Sequence, residues 1–117
     1  MTTTQYTQTT DSSGTSNLMH LLNKRDQQVM RLILPRDVEA VFGPGADLCY
    51  DPDKGYTDDE WYFQSSDGCI WGIGWRWGQT RLRGRGTGRR GADFFVPPSP
   101  DAASEFVSFL VKELDNA

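Results

Sequence analysis

The chain has 117 residues, 37% of them hydrophobic, with four Trp, four Tyr and six Phe, enough for one modest core carried by a few large side chains. Its formal net charge of −4 argues against a globally basic nucleic-acid binder, while leaving room for a local basic patch. No apolar run reaches the roughly 18 residues of a membrane helix, and the start of the chain lacks the charged and apolar blocks of a signal peptide, so no membrane association and a cytoplasmic location are expected.

Met1 to Ser16 is Thr, Gln and Ser with one Tyr and one Asp. Such a stretch buries too little surface to offset its ordering entropy. Residues 1–16 therefore read as a disordered tail, and 17–117 as a single domain. A helix is expected to begin near Ser16 or Asn17, with Leu18, Leu21 and Leu22 as its apolar stripe, continued by Val29, Leu32 and Ile33. Val29 to Leu34 reads equally well as helix or strand. Pro35 breaks the chain and opens a short helix over Arg36 to Phe42, which Gly43-Pro44-Gly45 ends. Asp47 to Tyr50 reads as a short strand, and Asp51 to Gly55 as a turn.

The centre of the chain, Glu60 to Arg85, reads as a three-stranded antiparallel meander. Asp67-Gly68 is expected to form a two-residue type I′ hairpin turn. That turn pairs Gln64 with Trp71, Phe63 with Gly72, Tyr62 with Ile73 and Trp61 with Gly74. Gly78-Gln79 is expected to close a second hairpin as a type II′ turn, pairing Trp77 with Thr80, Arg76 with Arg81, Trp75 with Leu82 and Gly74 with Arg83. Opposed residues share a face. One face then holds Tyr62, Trp71, Ile73, Trp75, Trp77 and Leu82 as a core side. The other holds Trp61, Phe63, Ile70, Gly72 and Gly74 with Arg76, Arg81, Arg83 and Arg85. A slip of one residue exchanges the faces.

Gly84 to Gly91 reads as a loop, and Asp93 to Val96 as a fourth strand stopped by Pro97-Pro98. Ser99 is expected to cap a C-terminal helix, with Pro100 at its first position. Ala103, Phe106, Val107, Leu110 and Leu114 form its stripe, which should dock on the Trp71/Trp75 side. The fold class is α+β: an antiparallel three- to four-stranded meander with short N-terminal helices and a C-terminal helix packed on one face.

Chemistry concentrates in the arginines. Arg76, Arg81, Arg83, Arg85, Arg89 and Arg90 fall in one stretch without an acid among them. Arginine offers a planar fork to carboxylate or phosphate, and Trp61 and Phe63 are expected beside them for stacking. The bland alternative is self-neutralisation by Asp51, Asp53, Asp58, Asp59 and Glu60 just upstream. An Asp-rich turn suggests calcium, but Gly55 is one place early and Tyr62 stands where the bidentate Glu belongs. Two cysteines, Cys49 and Cys69, and the lone His20 are too few for structural zinc. No metal or cofactor is expected, and both thiols should be reduced. No nucleophile–base pair or phosphate-cradling glycine motif is present. The sequence thus points to a small non-enzymatic binding module, using Trp61, Phe63, Arg76, Arg81, Arg83, Arg85, Arg89 and Arg90 on an acidic protein partner. The alternatives are a nucleic-acid binder using the same arginines on phosphates, and a small-molecule enzyme with an unrecognised pocket. Nothing in the sequence specifies the oligomeric state.

Overall fold

The computed structural model describes residues 3–51, 56–88 and 95–116, and the side chains of all of these except 46–51 and 56–58. Its elements are β1 (Tyr6–Thr9), β2 (Ser16–Asn17), a 3₁₀ turn (Met19–Leu21), α1 (Lys24–Leu32), α2 (Pro35–Phe42), β3 (Ala46–Asp51), β4 (Tyr56–Ser65), β5 (Ile70–Arg76), β6 (Gln79–Arg85) and α3 (Pro100–Asp115). The sheet runs β1-β4-β5-β6-β2, and β3 also pairs with β4. Every ladder is antiparallel. The α+β class with a meander and a C-terminal helix holds, in a sheet wider than three or four strands.

The extra strands come from the segment read as a disordered tail. Tyr6–Thr9 pairs with Ser65 to Tyr62, and Ser16–Asn17 pairs with Gly84 and Arg83. Tyr6 supplies the anchor that the composition hides, its ring stacking on Phe109 at 4.4 Å and tilting against Phe106 at 5.7 Å. The first helix accordingly starts later than expected: Asn23, not Ser16 or Asn17, caps α1 by accepting a hydrogen bond from the Asp26 N–H at 2.8 Å. Val29 to Leu32 is helix, Ile33 turns extended, and Met30 is buried where Leu32 is exposed. Helix α2 and the strand after it lie close to their expected places. Ser99 caps α3 as expected, accepting from the Ala102 N–H at 3.1 Å. Of the expected fourth strand, the described part forms a bridge from Phe95 to Gly88; Asp93 and Phe94 lie outside the described residues, as do Pro52 to Gly55 of the expected acidic turn.

The first hairpin corrects the register. Gly68 alone takes a positive φ (+93°), so the loop is not type I′ at Asp67-Gly68. The Gly68 N–H donates to the Ser65 carbonyl at 2.9 Å, and the Ser65 N–H donates to the Cys69 carbonyl at 2.9 Å. That is a three-residue loop, Ser66-Asp67-Gly68, ending in a left-handed glycine. The buried Ser65 hydroxyl holds it, accepting from the Cys69 N–H at 3.1 Å and donating to the Asp67 carboxylate. One extra loop residue shifts β4 by one: Phe63 faces Trp71, Trp61 faces Ile73, Tyr62 faces Gly72 and Glu60 faces Gly74. Trp61 and Phe63, expected beside the arginines, therefore point into the core, 2% and 1% exposed. Tyr62 and Glu60 take their places.

The second hairpin moves by two and so keeps its faces. Trp77 (φ +57°) and Gly78 (φ +74°) form a type I′ turn in place of the expected II′ turn at Gly78-Gln79. Arg76 then faces Gln79, Trp75 faces Thr80, Arg81 faces Gly74 and Arg83 faces Gly72. The expected Arg76–Arg81 cross-strand repulsion does not arise. Trp61, Phe63, Trp71, Ile73, Trp75 and Leu82 form the buried face, covered by the helices. Trp71 stacks on Phe106 at 5.6 Å and 15°, and Phe63 meets Phe42, Phe106 and Phe109. Trp61 also ties α2 to the sheet, its indole N–H donating to the Gly43 carbonyl at 2.8 Å.

Candidate functional site

The helices occupy one side of the sheet, and Arg76, Arg81, Arg83 and Arg85 line the other. Two glycines on β5 set the relief of that second face. A Cβ on Gly72 would stand 2.6 Å from the Tyr62 ring, and one on Gly74 would stand 2.6 Å from the Glu60 Cγ. The Tyr62 and Glu60 side chains thus lie down across a bare strand. Glycine opposite an aromatic was legible in the sequence; the aromatic is Tyr62 rather than Phe63 or Trp61.

Above this floor sits a half-open pocket of about 580 Å³. Arg76, Arg81, Arg83, Glu60, Tyr62 and Trp77 line it, with Ser12, Thr15 and Asn17 closing one side. At its base Tyr62 donates its hydroxyl hydrogen to the Glu60 carboxylate and accepts from Arg83 Nε at 3.2 Å. Arg83 Nε also lies 3.9 Å from Glu60 Oε1, with the two side chains 30% and 16% exposed. Burial, followed by the hydrogen bond to Glu60, pushes the Tyr62 phenol above its ordinary value.

The rest of the wall is the chain between β1 and β2, a strap laid over the arginines. Ser12 to Thr15 closes a turn with Gly14 at φ +72°, and the strap's carbonyls face β6. Arg83 Nη2 donates to the Thr15 carbonyl at 3.2 Å, and Arg85 Nε donates to the Ser13 carbonyl at 2.8 Å. Arg85 also lies 3.6 Å from the Asp11 carboxylate and stacks 4.2 Å over the Phe95 ring. Hydrogen bonds from the Ser13 hydroxyl and N–H, more than the Arg85 charge, hold the Asp11 carboxyl below its usual range.

The six arginines therefore separate. Arg83 and Arg85 are engaged by Glu60, Asp11 and the strap. Of the acids read as neutralisers, Glu60 is found on Arg83, while the side chains of Asp51, Asp53 and Asp58 lie outside the described ones. Asp11 was missed, because an acid inside a segment taken as disordered has no assigned place. Arg76 is exposed and Arg81 half-buried; among the described residues neither is ion-paired, and Arg81 donates to Gln79 Oε1 at 3.2 Å. Arg89 and Arg90 lie outside the described residues. Trp77, expected on the core side, stands at the hairpin tip, 59% exposed and lining the pocket.

Elsewhere the chemistry is sparse. Cys69 is a free, buried thiol, pushed up by burial. Among the described residues no group of three or more His, Cys, Asp or Glu is placed to hold a metal ion, and no helix is long and apolar enough to cross a membrane. The chain matches no protein-family model, no curated protein and no solved structure to which it was compared.

Proposed function

We propose that this chain is a small non-enzymatic binding module whose pocket on the arginine face takes an acidic segment of a protein partner. One observation carries the reading. Arg76 and Arg81 line an open pocket without an ion pair among the described residues, while Arg83 and Arg85 beside them are already engaged. Two guanidinium groups so placed repel each other and gain from a carboxylate ligand. Trp77, exposed at the rim, adds the large amphipathic surface that binding sites favour. Glu60 and Tyr62, the acid–base groups in the pocket, are hydrogen-bonded to each other, and Arg83 donates to Tyr62 and lies 3.9 Å from Glu60, which leaves Arg76 and Arg81 as the groups open to a ligand.

The test uses defined probes. A fluorescent peptide alternating Glu and Gly, its Lys/Gly counterpart and a single-stranded oligonucleotide are titrated into the protein at several salt concentrations. The acidic peptide should bind, the basic one should not, and the Arg76→Ala/Arg81→Ala double variant should lose most of the affinity while unfolding at the same temperature. Tighter binding of the oligonucleotide, with log K falling steeply against log salt by about 0.7 per neutralised single-strand phosphate, would replace this reading with nucleic-acid binding.

A further inference from the structure

Resting on the reading above, the geometry points to the form of the partner: we infer that it is an extended segment carrying two carboxylates on alternate residues, Asp/Glu-x-Asp/Glu, one received by Arg81 and the other by Arg76. The strap shows that successive arginines of β6 each take a separate acceptor. Ser13 and Thr15 stand two residues apart in the strap and deliver their carbonyls to Arg85 and Arg83, two residues apart in β6. Acceptors at every second position thus meet arginines at every second position, with the two chains running antiparallel. The strand period belongs to β6, whose alternate side chains project to one side about 6.7 Å apart; the strap meets them through a turn with Gly14 at φ +72°.

The arginine row continues past the strap. Arg81 follows Arg83 at the same spacing on β6, and Arg76 stands diagonally across from Arg81, because Arg81 faces Gly74 and Arg76 lies two residues further along β5. Diagonal neighbours of this kind are roughly 7–8 Å apart, close to the distance between alternate residues of an extended chain. Adjacent acids on an extended segment point to opposite sides, so only one of them reaches the pair. Gly74 between the two arginines carries no side chain, and the Glu60 side chain lies across it, so a ligand meets the two guanidinium groups above Glu60 rather than the strand itself. The strap supplies carbonyls and one carboxylate to the two arginines it covers; the partner supplies carboxylates to the two it leaves.

Two isomeric peptides separate this from charge attraction in general. Gly-Gly-Glu-Gly-Glu-Gly-Gly and Gly-Gly-Gly-Glu-Glu-Gly-Gly have the same length, composition and charge, and each is titrated into the wild-type protein and into the single variants Arg76→Ala and Arg81→Ala. The alternating peptide should bind about three- to fivefold tighter than the adjacent one, the effect of one added exposed charge pair. Each single variant should abolish that preference. If both peptides bind equally and both are weakened by the variants, the spacing inference fails while the acidic-segment reading stands. If neither peptide binds a folded wild-type protein, the acidic-segment reading fails, and the spacing with it. A preference that survives in both variants places the peptide elsewhere and also refutes the inference.

Discussion

Replacing Arg83 by alanine separates a structural arginine from a binding one. Read from the sequence, Arg83 faces Gly74 at the rim of the site, and its loss should cost little. In the fold its guanidinium donates to Tyr62 Oη and to the Thr15 carbonyl, each at 3.2 Å, and lies 3.9 Å from Glu60 Oε1. Each hydrogen bond contributes about 0.5–1.5 kcal/mol net, and a carboxylate left without its partner adds a desolvation cost of about 1–3 kcal/mol when buried. Arg83 is about a third exposed (30%) and Glu60 less so (16%), so water recovers part of that cost. The expected loss is about 1.5–3 kcal/mol, or roughly 5–12 °C in Tm for a domain of this size. Arg76→Ala and Arg81→Ala, by contrast, should stay within about 0.5 kcal/mol of wild type.

Urea unfolding followed by tryptophan fluorescence reads all three variants. Arg83→Lys adds a control, since one ammonium nitrogen cannot occupy both the Nε and Nη2 positions that reach Tyr62 and Thr15, and it should recover less than half of the loss. An Arg83→Ala protein as stable as wild type, with Arg81→Ala the damaging change, would refute the division of the arginines into engaged and available.

Gly72→Ala places a methyl 2.6 Å from the Tyr62 ring and should cost about 1–3 kcal/mol by denaturant unfolding, whereas Gly43→Ala, which meets nothing within 4 Å but has φ +82°, tests backbone strain without a clash. Deleting residues 1–15 removes β1 and the Tyr6 contacts with Phe106 and Phe109, so the melting temperature should fall by more than the few degrees expected of a loose tail. Trp77→Asn puts a residue suited to the left-handed region at φ +57°; the variant should be as stable as wild type or up to about 1 kcal/mol more so, yet bind the acidic peptide less well. The Tyr62 phenol is raised above 10.0 in the folded protein, so its contribution is fully present below pH 10 and lost as pH rises through the folded value; the urea midpoint should fall above pH 10, and less steeply in Tyr62→Phe.

Much of the fold was legible because apolar periodicity marked it. The α3 stripe, its Ser99 cap, the break at Pro35 and the alternation of β5 and β6 all follow from local rules that the tertiary structure keeps. The placement of β4 was not legible, because the loop that follows it is one residue longer than its dipeptide implies. Asp67-Gly68 is the preferred dipeptide of a two-residue turn, but the Ser65 hydroxyl bonds both Cys69 and Asp67 and adds a residue to the loop. The longer loop goes with Trp61 and Phe63 in the core and Glu60 and Tyr62 on the arginine face, because every side chain of a strand changes sides with a shift of one.

The strap was illegible for a different reason. Composition measures whether a segment can bury apolar area, and by that measure Met1 to Ser16 has little to hold it. Much of what orders residues 11–15 is backbone: beside the Asp11 carboxylate, the Ser13 and Thr15 carbonyls are ligands for Arg85 and Arg83, and many amino acids could supply those two. The arginines that looked surplus in the sequence are thus half of a contact whose other half carries no side-chain signature. It follows that the arginine row is not one site of six equivalent positions. On β6 it is a ladder on which the protein's own backbone occupies two rungs, Arg85 and Arg83, and the first guanidinium without an ion pair among the described residues stands where the strap ends, at Arg81.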